Sequence, residues 1–69
     1  MQKQQTQEDI KEIVEMPNVI DLTITEAKKM LQELGLEVEI NGYGEIVTEQ
    51  LPKKGIQINS GSKVIIYTE

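Results

Sequence analysis

The sequence predicts an α+β fold: a single small domain of order β-α-β-β, with one amphipathic helix packed on a three-stranded, mainly antiparallel sheet. Three observations carry this prediction. A capped, amphipathic pattern covers residues 24–34, apolar and polar residues alternate directly after it, and a β-branched segment covers residues 63–68. A hydrophobic period of about 3.6 residues is typical of a helix, and a period of about 2 is typical of a strand. With 69 residues, the chain is long enough for one small domain.

The first strand is predicted as extended chain over Met16-Pro17-Asn18-Val19-Ile20. Proline has no backbone N–H to donate to a neighbouring strand, so Pro17 is confined to an edge strand or to a strand end. We therefore expect this segment to lie at the border of the sheet.

Residues 1–15 differ in composition from the rest of the chain, since they are rich in Gln, Lys and Glu and poor in apolar side chains. Such a composition is typical of a linker or a disordered extension. Ile10, Ile13 and Val14 also fall at helical spacing, so a short helix is the alternative. We place the extension at residues 1–15 and the domain at residues 16–69.

The helix is predicted over Ile24 to Leu34. Thr23 and Glu26 form a T-x-x-E capping box, in which each side chain accepts a hydrogen bond from a backbone N–H at the helix start. Gly35 follows as the expected left-handed residue at the helix end. The apolar positions share one face: they are Ile24, Ala27, Met30, Leu31 and Leu34.

The alternation in Leu36-Glu37-Val38-Glu39-Ile40 predicts a strand whose apolar side chains meet the helix. A turn is predicted over residues 41–44, and residues 45–51 continue as extended chain with poor alternation. The last strand covers residues 63–68, where Val64 and Ile66 share the inner face. Ile65 and Tyr67 then alternate onto the opposite face, where we predict a protein-contact patch.

Composition excludes several classes of function. The chain has no Cys and no His, which excludes disulfides, Cys/His zinc sites and thiol redox chemistry, and we expect no cofactor. A net charge of −5, without Trp or Phe, is unlike a nucleic-acid binder, which normally has a basic face and often stacking aromatics. No apolar run approaches the roughly 20 residues of a membrane helix, so we expect no membrane insertion by this segment. We expect a monomer in isolation.

Catalytic and metal-binding patterns are weak. Ser62 and Lys63 are adjacent, but neighbouring residues of a strand point to opposite faces, so they do not form a nucleophile–base pair. Glu37 and Glu39 share a face, but no loop supplies the roughly six or more oxygen ligands that calcium takes. We therefore predict no catalytic residue and no metal site.

Lys53 and Lys54 form a small basic spot within a Pro/Gly turn. Lysines in a turn often serve solubility alone. The alternative is recognition of a carboxylate or another anion, although without the two-pronged contact that arginine would provide. The sequence leaves both interpretations open.

A succession of short motifs runs from Met16 to Thr68. The first half contains Met16-Pro17-Asn18-Val19-Ile20, Leu22-Thr23, Glu26-Ala27, Leu31 and Gly35-Leu36-Glu37-Val38. The second half contains Gln50-Leu51-Pro52, Gly55 and Ser60-Gly61-Ser62-Lys63-Val64. In order and spacing, these motifs together resemble the PASTA domain family. Asp21 stands where that family often has glycine, and Leu51 stands where it usually has a small residue.

The resemblance implies a non-catalytic module on the extracytoplasmic face of the cell membrane of a Gram-positive bacterium. The parent protein would be a penicillin-binding protein, which is a peptidoglycan transpeptidase, or a wall-sensing serine/threonine kinase. The tail over residues 65–69 most resembles the terminal module of class B penicillin-binding proteins of the sporulation-specific type.

Two functional hypotheses follow from the resemblance. The first is a binding module that recognises uncrosslinked peptidoglycan stem peptides weakly and localises a transpeptidase, with Gln50, Lys53 and Lys54 as ligand-binding residues. The second is a structural or protein-interaction module that positions the parent protein at a division or spore septum. In that case Ile65 and Tyr67 would contact the parent transpeptidase domain or another protein.

Overall fold

A computed structural model describes residues 12–69 of the chain. The elements in chain order are β1 (Ile13–Glu15), α1 (Ile24–Glu33), β2 (Glu37–Asn41), β3 (Val47–Leu51), β4 (Gln57–Asn59) and β5 (Lys63–Thr68). The predicted α+β class, with one helix packed on a sheet, is confirmed.

Helix α1 begins and ends at the signals that the sequence contains. The Thr23 side chain accepts a hydrogen bond from the Glu26 N–H at 3.1 Å, and the Glu26 carboxylate accepts one from the Thr23 N–H at 3.1 Å. Gly35, at φ +80°, ends the helix and donates its N–H to the Gln32 carbonyl. Of the predicted apolar face, Ala27 and Leu31 are buried, whereas Met30 is 38% exposed.

The main sheet has three strands in the order β2-β5-β3, with β2 parallel and β3 antiparallel to β5. The sequence predicted mainly antiparallel pairing, and the structure shows one pair of each kind. The turn after β2 accounts for the difference, because it passes around the end of β5. There the Tyr43 N–H donates to the Glu69 carbonyl at 3.1 Å, and the Gly44 N–H donates to the Thr68 hydroxyl at 3.0 Å. The turn therefore delivers β3 to the far side of β5.

A second, two-stranded sheet pairs β1 with β4 in antiparallel register, from Ile13 opposite Asn59 to Glu15 opposite Gln57. The sequence predicts a linker or a short helix at residues 13–15 and no strand at residues 57–59, whereas the structure has a three-residue strand at each place. Three-residue strands pairing across more than forty residues of chain leave little local signal. Ile10, which belonged to the helical alternative, lies outside the described residues.

The segment Met16–Ile20 was expected to be a strand, but it is irregular chain. Its backbone is held from both ends: the Met16 N–H donates to the Ile56 carbonyl at 2.8 Å, and the Asp21 N–H donates to the Val47 carbonyl at 2.8 Å. Its side chains Met16 and Val19 are almost completely buried. The segment is thus part of the core without being part of a sheet.

The core lies between α1 and the inner face of the main sheet. Its buried members are Met16, Val19, Ala27, Leu31, Leu36, Val47, Val64 and Ile66. Leu36 and Val38 face this core as predicted, but Ile40 remains 39% exposed because β2 is an edge strand with only β5 beside it. Within residues 12–69, no helix is long and apolar enough to cross a membrane.

Candidate functional site

A shallow groove runs beside the end of β3, and we call it the basic groove. It is lined by Asn18, Ile20, Glu49, Gln50, Lys53 and Lys54. The groove brings all three residues predicted to bind ligand into one place. Their environments differ, however, because Gln50 is buried whereas Lys53 and Lys54 are exposed.

Gln50 lies on the inner face of β3 and has no exposed surface. Its Oε1 accepts a hydrogen bond from the Val19 N–H at 2.8 Å, and its Nε2 donates to the carbonyls of Pro17 at 2.8 Å and Pro52 at 3.0 Å. Both amide donors are therefore used within the protein. In this structure Gln50 ties together the two segments that flank the groove and has no surface free for a ligand.

A β-bulge explains why the sequence did not show Gln50 as an inner residue. The register of β3 against β5 shifts between Val47 and Glu49, so β3 has one extra residue there. Val47 and Gln50, which are three residues apart, consequently face the core together. Strict alternation would have placed them on opposite faces.

The turn that carries Lys53 and Lys54 is held against the body of the protein. The Pro52 carbonyl accepts a hydrogen bond from Gln50 Nε2, and the Gly55 N–H donates one to the Met16 carbonyl at 2.8 Å. Both lysines therefore project from a backbone that is fixed on each side of them, and their ammonium groups remain in solvent.

Lys53 is engaged by a neighbour in the groove. Its Nζ lies 2.9 Å from Glu49 Oε1, and both side chains are about half exposed. The hydrogen bond from Lys53, together with one from the Gln50 N–H, holds the pKa of Glu49 below its ordinary value of 4.5. Among residues 12–69, Lys54 makes no ion pair, so its charge is available to an incoming anion.

Asn18 and Ile20 also line the groove. The Asn18 Oδ1 accepts a hydrogen bond from the Ile20 N–H at 3.2 Å, which uses the acceptor and leaves the amide NH₂ as a donor in an exposed position. Ile20 adds a partly exposed apolar surface. Beside the Glu49–Lys53 ion pair, the groove thus offers the Lys54 ammonium, an amide donor and an apolar side chain, which suits a small carboxylate-bearing ligand with an apolar body.

The predicted contact patch lies elsewhere, on the face of the main sheet that is turned away from α1. Ile65 and Tyr67 are both partly exposed there, and Leu51, directly opposite Ile65 in the register, is 44% exposed. We call this surface the outer sheet face. Leu51 was not predicted to belong to it, because the sequence left the register between β3 and β5 undetermined.

Metal-binding side chains do not cluster in the part of the chain that the structure describes. Within residues 12–69, no group of three or more Asp or Glu side chains converges as a metal site would require. Glu37 and Glu39 lie on the outer sheet face, where the Lys63 Nζ lies 3.6 Å from Glu39 Oε1.

Two known proteins are similar in sequence to most of this chain. The chain is 34% identical over 47 residues to a UPF0288 protein of Methanopyrus kandleri, covering 68% of this chain and 9% of that protein. It is 30% identical over 54 residues to stage V sporulation protein D of Bacillus subtilis, covering 78% of this chain and 8% of that protein. The chain therefore spans less than a tenth of the length of either relative.

Among solved structures, the fold is similar to the extracellular region of the Ser/Thr kinase PrkC from Staphylococcus aureus. The match has a TM-score of 0.69 at 25% identity, and it covers 84% of this chain and 22% of that one. The family model of the PASTA domain matches residues 14–69, which is most of the chain. The chain therefore belongs to the PASTA domain family, whose members are non-catalytic modules.

Proposed function

We propose that this PASTA domain is an extracytoplasmic module of a Gram-positive cell-wall protein that weakly binds uncrosslinked peptidoglycan stem peptides and localises a transpeptidase. The likeness to stage V sporulation protein D supports a penicillin-binding protein as the parent. The likeness to the extracellular region of a kinase supports the extracytoplasmic location.

One observation carries the proposal: the basic turn places the Lys54 ammonium, which makes no ion pair within residues 12–69, beside a groove that Ile20 also lines. In the proposed complex, the Lys54 ammonium meets a free carboxylate of the stem peptide, and an apolar side chain of the peptide packs on Ile20. Uncrosslinked stems retain carboxylates for such contacts. Because Gln50 and Gly55 fix the turn, the lysine backbones need no ordering when the ligand binds.

Weak affinity follows from the same geometry. Lys53 is already paired with Glu49, and an exposed ion pair contributes little because solvent screens it. A lone ammonium also lacks the paired hydrogen bonds that a guanidinium gives to a carboxylate. We therefore expect dissociation constants in the millimolar range, which would be sufficient where a cell wall presents many copies of the ligand.

The proposal is tested by titrating the ¹⁵N-labelled domain with a soluble disaccharide–stem-peptide fragment and following the amide shifts. We expect saturable shifts at Ile20 and over residues 53–55, and we expect Lys54→Gln to abolish them. Lys29→Gln, on the exposed side of α1, is the matched control and should bind normally. Amide signals that stay fixed at millimolar ligand, or equal binding by both variants, would contradict the proposal.

A second candidate function is favoured by the outer sheet face. There Ile65, Tyr67 and Leu51 present apolar surface that no other part of residues 12–69 covers. In this case the domain positions the parent penicillin-binding protein at a division or spore septum through protein contact, without binding a ligand. Ile65→Glu and Tyr67→Ala should weaken association with the parent transpeptidase domain while preserving amide dispersion. Unchanged association in both variants would count against this candidate.

A further inference from the structure

The strand registers define how side chains are arranged on the outer sheet face. In the central strand β5, Lys63, Ile65 and Tyr67 point outward, because Val64 and Ile66 between them are buried. On the β2 side, their partners are Glu37, Glu39 and Asn41. On the β3 side, Leu51 lies opposite Ile65, and Glu49 lies opposite Tyr67. An apolar stripe therefore crosses the face, with Glu37 and Glu39 along the β2 side and the Glu49–Lys53 ion pair on the β3 side.

The carboxylates on the β2 side are incompletely neutralised. Lys63 Nζ is 3.6 Å from Glu39 Oε1, a distance longer than a hydrogen bond, and both side chains are about half exposed. Glu37 makes no ion pair within residues 12–69. The chain as a whole carries a net charge of −5, so the surrounding field also favours a cationic occupant.

The dimensions of the face suit one helix. Neighbouring strands lie about 4.8 Å apart, so three strands span about 10 Å between the outer two axes. A helix with its side chains is about 10 Å across. A strand added at the edge of β2 would instead lie beside Glu37 and Glu39, away from Ile65, and would leave the apolar stripe uncovered.

We infer that the outer sheet face docks a basic amphipathic helix of a partner protein. The apolar residues of that helix lie on Leu51, Ile65 and Tyr67, and its Lys or Arg side chains reach Glu37 and Glu39. This inference rests on the second candidate function and specifies the chemistry of its partner. It does not depend on ligand binding in the basic groove.

The probe is a pair of synthetic helical peptides with the same apolar face. One carries Lys along one flank, and the other carries Glu at the same positions. Each is titrated into the ¹⁵N-labelled domain at low salt. We expect the Lys peptide to bind about tenfold more tightly, given several exposed charge contacts. Its shifts should centre on Glu39, Ile65 and Tyr67, and its affinity should fall as salt is added.

Two double variants separate a local contact from general attraction to an acidic protein. Glu37→Lys with Glu39→Lys changes the net charge by the same amount as Glu12→Lys with Glu33→Lys, which alters exposed positions on other surfaces. The first pair should reverse the preference in favour of the Glu peptide, and the second should leave the Lys peptide preferred. Leu51→Ser tests the apolar stripe at its most exposed member and should lower the affinity of the domain for both peptides.

The outcomes are distinguishable. A preference that reverses only in the Glu37/Glu39 variant supports the inference. Equal responses of the two double variants, or shifts centred on another surface, would overturn it. Binding of both peptides at this face with equal affinity would overturn the basic helix and leave the docking function standing. If neither peptide shifts the amide signals of the outer sheet face, the inference is overturned, and the result also counts against the second candidate function.

Discussion

The two faces of strand β5 carry similar side chains in opposite surroundings. Val64 and Ile66 are completely buried, whereas Ile65 and Tyr67 on the other face are partly exposed. All four are strand-forming residues, and Ile65 and Ile66 are chemically identical although they lie on opposite faces. The difference arises from neighbouring strands, because β2 presents Val38 inward and glutamates outward.

In this small sheet, the edge strands determine which face of the central strand packs against the helix. A central strand that is apolar on both faces would fit either orientation, and its neighbours decide which face meets the helix. The outer face then retains partly exposed apolar side chains, which contribute less to folding than the buried pair. Those side chains are free to serve recognition, as the inference above requires.

The most direct test of the difference between the two faces is to truncate one isoleucine on each face and compare the losses of stability. Ile66→Ala should lower the free energy of unfolding by about 2–5 kcal/mol, because it opens a cavity in a fully packed site. Ile65→Ala should cost clearly less, because solvent already reaches its side chain. Urea unfolding followed by circular dichroism measures both. If Ile66→Ala does not fold, Ile66→Val and Ile65→Val provide the same comparison, and equal losses would contradict it.

Gln50 provides a second test, since it is the polar member of the inner face. Gln50→Leu should destabilise by about 2–3 kcal/mol, because the Val19 N–H and the carbonyls of Pro17 and Pro52 lose their partner. Gln32→Leu makes the same chemical change at an exposed helix position and should shift stability by about 0.5 kcal/mol or less. Similar unfolding midpoints for the two variants would show that Gln50 does not fasten the groove.

Gly42 tests the end of the sheet, where the chain passes around β5. A Cβ at Gly42 would overlap the Thr68 carbonyl oxygen, and the residue has φ +114°. Gly61 has φ +88°, but a Cβ there would meet nothing within 4 Å. Gly42→Ala should therefore cost about 1–2 kcal/mol more than Gly61→Ala, by the steric term alone. Thermal unfolding compares them, and equal losses would argue against the close approach to Thr68.

The smallest expected effect concerns the Glu49–Lys53 pair on the solvent side of β3. Lys53→Met should raise the pKa of Glu49 towards its ordinary value of 4.5, while the Gln50 N–H keeps part of the lowering. Because the folded pKa is depressed, the stabilisation is present above the unfolded value and is lost as pH falls through the folded one. Carboxyl ¹³C shifts measured against pH report the change. An unaltered Glu49 titration in the variant would mean that the pair does not persist in solution.

The sequence predicted the elements whose signals are local. The capping box at Thr23 and Glu26 and the glycine at Gly35 bound helix α1, since each acts within a few residues. The alternation over Leu36–Ile40 gave β2 for the same reason. Parallel pairing of β2 with β5 was not predictable in this way, because it depends on the turn after β2 binding the end of a strand more than twenty residues later.

The candidate site was predictable only in part. The exposed turn with Lys53 and Lys54 follows from local composition, and the structure brings it together with Gln50. The burial of Gln50 was not predictable, because a single-residue bulge in β3 reverses the expected alternation. Two of the three partners of the Gln50 side chain, Val19 and Pro17, lie more than thirty residues earlier in the chain, and no local pattern points to them.

The central position of β5 also has a consequence during synthesis on the ribosome. Strands β2 and β3 emerge first, yet within the main sheet each is hydrogen-bonded only to β5, which is translated after both. Until β5 has been translated, one edge of β2, one edge of β3 and the inner face of α1 lack the strand that they contact in the folded domain. The charged side chains of Glu37 and Glu39 disfavour pairing of the β2 edge with other nascent chains. The glutamates of β2 would thus limit association of the incompletely synthesised domain, before they have any role in the folded one.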